Sequence, residues 1–365
     1  MKNLQILLNN LMRCVIIYVI NIKDMSVAMK KVLVGLSGGV DSAAAAMLLI
    51  RAGYEVHGVT LNLCGSGDVA DAAAAADFLG IPHTVLDGRK RFSGTVIKDF
   101  ITQYQRGRTP NPCVVCNEKI KFGLMLDYAL QNGFDYIATG HYARVSSEGG
   151  RYFLQKGKSS RKDQSYFLYR LTEEKLKHIL FPLGEYEKEE VRAAARDAGI
   201  PAAHLADSQD ICFISSNHAA YLKNAGVASD AGDFIDKSGA VLGRHNGIIN
   251  YTVGQRKGLG TAFGKRLFVL GIDPAGNTVT LGEEDELYQS SCTAGDLNFI
   301  NTMEENPISA EVKIRYNGAA AKAKITLLEN EKALVEFERP QRAVTPGQSA
   351  VFYSGGRVLG GGIIK

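Results

Sequence analysis

The stretch from Lys31 to Gly53 constrains this chain more than any other. An apolar run, Val32 to Leu36, ends in Ser37-Gly38-Gly39-Val40-Asp41-Ser42, and an alanine- and leucine-rich segment follows as far as Gly53. That order reads as strand, glycine loop and helix. A strand that passes straight into a helix through glycines turns backbone N–H groups and the positive helix end outward, where phosphate oxygens can approach closely. The rhythm continues with a strand at Tyr54 to Leu63, a helix at Val69 to Leu79 stopped by Gly80, and a strand at His83 to Leu86. Helical stretches at Phe92 to Tyr104 and Glu118 to Leu130 flank a Pro- and Cys-rich loop, Gly107 to Asn117. A buried-type strand, Asp135 to Thr139, then leads into Gly140-His141-Tyr142. Strands alternating with helices imply an α/β fold with a doubly wound parallel sheet.

A chain of 365 residues exceeds the size at which one core keeps growing, so two or three domains are expected. After about residue 215 turn signals such as Lys237-Ser238-Gly239 and Asp273-Pro274 replace helical periodicity. Short alternating strands follow at Ala310 to Tyr316, Ala323 to Leu328, Ala333 to Phe337 and Ala350 to Tyr353, which reads as a small antiparallel barrel. The expected division is an N-terminal extension at 1–28, disordered or preceding a start at Met25 or Met29, then a catalytic domain at 29–215. A small central domain at 216–285 and a C-terminal β-barrel at 286–365 complete it. Leu11 to Ile22 is apolar, but Arg13 interrupts it, it is shorter than the roughly 20 residues a bilayer span needs, and it lacks a small-residue cleavage site.

Hydrophobic residues at 45% and charged residues at 22% exclude a disordered or fibrous chain and fit a folded cytoplasmic protein with no membrane partner. A formal net charge of only +4 means that any nucleic-acid contact is local. Six cysteines, Cys14, Cys64, Cys113, Cys116, Cys212 and Cys292, are too sparse for a disulfide framework, so thiols with chemical roles are expected. The seven histidines show no metal-binding spacing, and six of them, His57, His83, His178, His204, His218 and His245, receive no role.

The glycine loop lacks the Lys-Ser/Thr pair of a Walker A loop, and the spacing and downstream acid of a dinucleotide fingerprint are also missing. It resembles the pyrophosphatase loop (PP-loop) of the N-type ATP pyrophosphatases, which cleave ATP to AMP and pyrophosphate by adenylating an acceptor. In that reading Ser37 and Ser42 add hydroxyl donors and Asp41 holds Mg²⁺ against the pyrophosphate. The loop alone does not name the acceptor. Further segments do: Gly107-Arg108-Thr109-Pro110-Asn111-Pro112-Cys113-Val114-Val115-Cys116-Asn117, Lys121-Phe122, Ala138 to Arg144, Lys162 to Leu168, Asp210-Ile211-Cys212-Phe213-Ile214, Tyr251 to Gly260, and Thr345 to Tyr353. In this order and spacing the chain resembles the bacterial tRNA-specific 2-thiouridylases from Lys31 to Lys365.

The resemblance implies ATP-dependent 2-thiolation of a wobble uridine in tRNA. ATP contacts would come from Gly35, Leu36, Ser37, Gly38, Gly39, Val40, Asp41 and Ser42, from Leu61 and from Gly140. The target base would lie against Asn111, Pro112 and Cys113. Cys116 matches the nucleophile, and Cys212 the cysteine that receives sulfur as a persulfide from a donor protein. His141, Lys162, Asp163, Gln164, Arg315, Tyr316 and Gln348 match positions that touch or orient the tRNA, which in the family is a tRNA for Lys, Glu or Gln.

One departure is Cys113, where the family often carries Asp, giving Cys113-x-x-Cys116. Such a pair serves as a redox couple, a persulfide relay or part of a metal site. With Cys212 the count is three, which a persulfide relay and an open-cornered [4Fe–4S] cluster both satisfy. Two rival functions are an amidotransferase-type synthetase acting on a small metabolite, with no tRNA requirement, and an RNA-binding module with a vestigial nucleotide loop.

Overall fold

The computed structural model describes residues 29–64, 68–204, 211–214, 217–260 and 263–365. The expected N-terminal extension, Cys14 and Asp210 of the Cys212 motif lie outside the described residues. Strands β1 (Lys31–Gly35), β2 (Glu55–Asn62), β3 (His83–Asp87) and β4 (Tyr136–Ala138) precede a hairpin, β5 (Ala143–Glu148) and β6 (Arg151–Lys156), and then β7 (Ile179–Leu180). Five of these make one parallel sheet in the order β3-β2-β1-β4-β7. Alternation in β1 explains the layering. Val32 and Val34 pack with Ala46, Ala72 and Ala76 of the helices Val40–Arg51 and Asp68–Leu79. Leu33, pointing the other way, packs with Phe122, Met125 and Ala129. Helices therefore cover both faces, as expected for a doubly wound sheet.

A four-stranded sheet follows, built from β8 (Gly232–Ile235), β9 (Val241–His245), β10 (Phe268–Asp273) and β11 (Thr278–Gly282) in the order β10-β11-β8-β9. Its core is Phe234, Tyr251, Val269, Val279 and Leu281. The last strands are β12 (Tyr288–Phe299), β13 (Ile308–Lys313), β14 (Ala321–Leu328), β15 (Lys332–Arg342), β16 (Ser349–Ser354) and β17 (Arg357–Ile364). Pairing of β12 with β17 closes them into a six-stranded antiparallel barrel. The closing strands β12 and β17 are absent from the sequence expectation. So is the β5–β6 hairpin, which joins the barrel sheet through Arg357 and Gln155. Among the described residues no helix is long and apolar enough to cross a membrane.

Candidate active site

The strand order reverses at β1, whose neighbours β2 and β4 send their connections to opposite sides, and open α/β sheets bind ligands outside the carboxyl ends of the strands at such a point. The glycine loop sits there. Gly38 has φ of 76°, a left-handed conformation that glycine adopts at no steric cost, and Gly39 caps the helix Val40–Arg51. Ser42 Oγ donates to Gly39 O at 2.9 Å and accepts from Ser37 N at 3.2 Å, drawing the loop into a tight turn. The opposite wall is Gly140, at the end of β4. A Cβ there would lie 2.8 Å from the Asp41 carbonyl carbon and 2.9 Å from Ser42 N, so any larger residue would push the wall off the loop.

Asp41 is not open to solvent ions on all sides. Lys188 Nζ donates to its Oδ1 and Oδ2 at 2.8 and 2.7 Å, and Tyr142 Oη donates to Oδ1 at 2.9 Å. The Lys188 side chain is only 5% exposed. Its position is fixed by the capping box of Glu187 and Glu190 at the start of the helix Lys188–Asp197. In this arrangement both carboxylate oxygens face the Lys188 ammonium, so a Mg²⁺ at Asp41 would share the carboxylate with that cation.

The thiols lie at the end of the neighbouring strand. Asn111 and Pro112 open a helix, Pro112–Cys116, that continues through a π-helical segment, Asn117–Leu124, into the helix Met125–Gln131. Proline at the first helical position fixes where the turn starts, and π segments recur at functional sites. Cys113 and Cys116, three apart, diverge in environment. Cys113 is exposed, whereas Cys116 is 8% exposed and packs with Phe92, Val96, Ile120, Leu61, Leu63 and Phe213. Leu61 and Leu63 bring the end of β2 to Cys116, and Phe213 brings Cys212 into the same neighbourhood. Phe213 is itself fixed by edge contacts with Phe92, Phe100 and Tyr221 at ring distances of 5.6, 5.3 and 5.2 Å.

Burial pushes the Cys116 thiol up to about 12, with the nearby Lys121 acting against it and Cys212, Cys113 and Cys64 adding to it. Among the described residues no group of three or more His, Cys, Asp or Glu side chains could hold a metal ion. In this structure Cys116 packs into an apolar cluster while Cys113 is exposed. No disulfide joins them.

The positions matched to tRNA contacts divide into two groups. His141 is buried, its Nδ1 is 2.7 Å from Thr139 Oγ1, and burial holds it well below its ordinary value, so it is a neutral framework residue. Asp163 is buried and accepts from Gly157 N, Ser165 N and Ser165 Oγ at 3.0, 3.1 and 2.9 Å. Gln164 Oε1 accepts from Tyr142 N at 3.0 Å, and Gln348 Nε2 donates to Thr109 O at 2.8 Å. These four organise the protein itself. Lys162, Arg315 and Tyr316 are half-buried. The Arg315 guanidinium is turned onto the carbonyls of Arg342 and Ala343, and the Tyr316 ring lies 4.4 Å from that of Phe167.

Four site residues escaped the sequence reading: Lys188, Tyr142, Lys121 and Cys64. Lys188 sits in the charged run Glu185 to Glu190, which looks like a solvated helix start. Tyr142 and Lys121 fall inside quoted motifs without a chemical signature of their own. Nothing at Cys64 announces that it neighbours Cys116.

Three family models match the chain: a tRNA methyl transferase HUP domain at residues 30–216, a tRNA methyl transferase PRC-barrel domain at 219–283 and an aminomethyltransferase beta-barrel domain at 289–364. The tRNA-specific 2-thiouridylase MnmA of Acetivibrio thermocellus is 48% identical over 356 residues, covering 92% of this chain and 99% of that protein. The namesake proteins of Clostridium botulinum strain Alaska E43 and Clostridium acetobutylicum are 47% and 46% identical, covering 93% and 92% of this chain and 99% of each relative. Among solved structures, a 4-thiouridine synthetase–RNA complex with bound ATP has a TM-score of 0.34 at 17% identity, covering 54% of this chain and 50% of that one. On its full-length relatives and its three matched domains, the chain belongs to the tRNA-specific 2-thiouridylase family.

Proposed function

We propose that this chain is a cytoplasmic tRNA-uridine 2-sulfurtransferase that spends ATP to replace the C2 oxygen of a wobble uridine with sulfur. One observation carries the reading: a phosphate-type glycine loop ends β1 while a buried cysteine, Cys116, packs against the end of β2, the adjacent strand. The loop that activates the oxygen and the thiol that completes the sulfur transfer are thereby served from one end of the sheet.

The C2 oxygen is a poor leaving group. Attack of that oxygen on the α-phosphorus of ATP releases pyrophosphate and leaves an O-adenylate, which departs as AMP. The terminal sulfur of a Cys212 persulfide adds at C2 as AMP leaves, giving a Cys212–S–S–C2 linkage. The Cys116 thiolate then attacks the Cys212 sulfur. Cys116–Cys212 disulfide forms, the electron pair passes to the sulfur on the base, and 2-thiouridine is released. A dithiol reductant restores both thiols, and a donor protein reloads Cys212. Lys121 is the cation available to help Cys116 ionise. The base must leave the anticodon stack to reach Cys116, with Asn111 to Cys113 as its expected support.

The test is a reconstituted reaction with tRNA, ATP and a persulfide donor, reading pyrophosphate release and 2-thiouridine by mass spectrometry. Pyrophosphate release that needs tRNA and yields 2-thiouridine is the expected result. Release with a small amine or acid acceptor and no tRNA would replace this reading with the synthetase one.

A further inference from the structure

The end of the helix Lys98–Gln105, the middle sheet and the barrel meet around a cleft of about 700 Å³ that none of the family-matched contact positions lines. Arg106 and Arg108 border it from the end of the helix Lys98–Gln105, Leu270 and Ile272 from the middle sheet, and Lys332 and Lys365 from the barrel. Four cationic side chains line it and no Asp or Glu does. Among the described residues none of the four makes an ion pair or a side-chain hydrogen bond, whereas nearby Arg342 pairs with Glu284 at 3.5 Å. Like charges gathered around a concavity without counter-charge raise one another's energy, and a polyanion that enters relieves this while releasing its own counterions. Apolar residues share the lining, among them Val253, Leu270, Ile272, Val344 and Pro346, a surface for sugar and base rather than for a bare ion.

We propose that this cleft binds backbone phosphodiesters of the RNA strand that is being modified, an assignment that rests on the function proposed above. Continuity with the thiol pocket favours RNA over a free nucleotide. Arg108 stands five positions before Cys113 on the same loop, and that loop is pinned at the cleft by Thr109 N donating to Pro346 O at 2.9 Å. A strand seated on Arg106 and Arg108 is delivered along the loop to Cys113 and Cys116.

The test compares the wild type with the double variant Arg106→Gln/Lys332→Gln, both at exposed side chains. The dissociation constant for tRNA is measured against salt, with inorganic phosphate as competitor in a second arm and ATP affinity as a control. The expected result is a salt slope lower by about 1 for each cation removed, tRNA binding at least tenfold weaker at low salt, and unchanged ATP affinity. Wild-type tRNA binding with the same slope in the variant overturns the cleft assignment alone. So does displacement by millimolar phosphate that the variant abolishes without loss of tRNA affinity, which marks a small-anion site. If the wild type binds no tRNA at any salt, the proposed function fails and the cleft assignment with it.

Discussion

Lys188 Nζ lies 2.8 and 2.7 Å from the two carboxylate oxygens of Asp41, joining the glycine loop to a helix start 147 residues further along the chain. Tyr142, on the far side of the loop, completes the clamp through its hydroxyl. The loop's carboxylate is thus held by two side chains that reach it from separate elements.

This arrangement predicts that Lys188→Met and Asp41→Asn each lower tRNA-dependent pyrophosphate release at least tenfold. Because they act through one contact, their effects should fall short of adding in the double variant, with a coupling of roughly 1–3 kcal/mol. Pyrophosphate release across a Mg²⁺ titration checks it. A variant Asp41→Asn that recovers the wild-type maximum once Mg²⁺ is raised would show that the carboxylate binds the metal.

Cys116 and Cys212 should each end thiolation when changed to serine, and Cys113→Ser should retain most of it. The reason is geometric: Cys116 is buried in the same neighbourhood as Cys212, while Cys113 is exposed and, among the described residues, no metal-type grouping includes it. Iron, acid-labile sulfide and 2-thiouridine are measured on anaerobically purified protein for each variant. Stoichiometric iron lost together with activity in Cys113→Ser would refute the relay.

Lys121 opposes the burial that raises Cys116 to about 12. Removing its charge in Lys121→Gln should move the alkaline rise of the thiolation rate to higher pH by about one unit, since a nearby opposite charge shifts a group by one unit or more. A structural role for Lys121 would lower the rate at all pH values without moving the profile. The same burial sets a sign for stability. A thiol raised from about 9 to about 12 stays protonated in the folded state while the unfolded chain ionises. Stability is therefore full below pH 9 and falls above it, by about 1.4 kcal/mol per pH unit for Cys116. Chemical unfolding at pH 8 and pH 10, with Cys116→Ala as the reference, reads this directly.

What the sequence disclosed follows from how local each signal is. The glycine loop, β1 to β4 and the inner barrel strands are legible because apolar runs and turn residues sit within a few positions of one another. Strand β17 hides behind Gly360, Gly361 and Gly362, which are there because the barrel backbones approach too closely for a side chain: a Cβ at Gly360 would strike Asn298 O. Strand β12 is broken by a bulge at Asp296, whose φ is 54°. The β5–β6 hairpin carries a readable sign, Gly149-Gly150 with φ of 58° and 80°, between strands too polar to stand out. Lys188 is illegible for another reason. Its partner is 147 positions away, and only the fold tells a buried counter-ion from one more lysine in a charged run.

The last prediction concerns Gly347 and Gln348, which hold the loop that carries the cysteines. Gly347 has φ of +91°, and a Cβ there would lie 2.9 Å from Thr109 N and 3.0 Å from Arg108 Cβ. Gln348 Nε2 donates to Thr109 O at 2.8 Å, and Thr109 Oγ1 reaches Thr252 Oγ1 of the middle domain at 3.3 Å. The segment 107–109 is therefore gripped from both smaller domains just ahead of Asn111. Gly347→Ala adds backbone strain of about 1–3 kcal/mol and a collision with main-chain atoms that cannot swing aside. Gln348→Leu removes one hydrogen bond, about 1 kcal/mol, and leaves the Thr109 carbonyl unserved. Both variants should lower thiolation through kcat, Gly347→Ala more than Gln348→Leu, because the displaced loop misplaces Cys116 relative to the base. ATP affinity should hold, since the glycine loop hangs from β1 and the helix Val40–Arg51 rather than from the segment 107–109. Steady-state thiolation with ATP binding measured in parallel decides it: equal losses in ATP affinity and thiolation would mean that the barrel supports the whole catalytic domain rather than the cysteine loop.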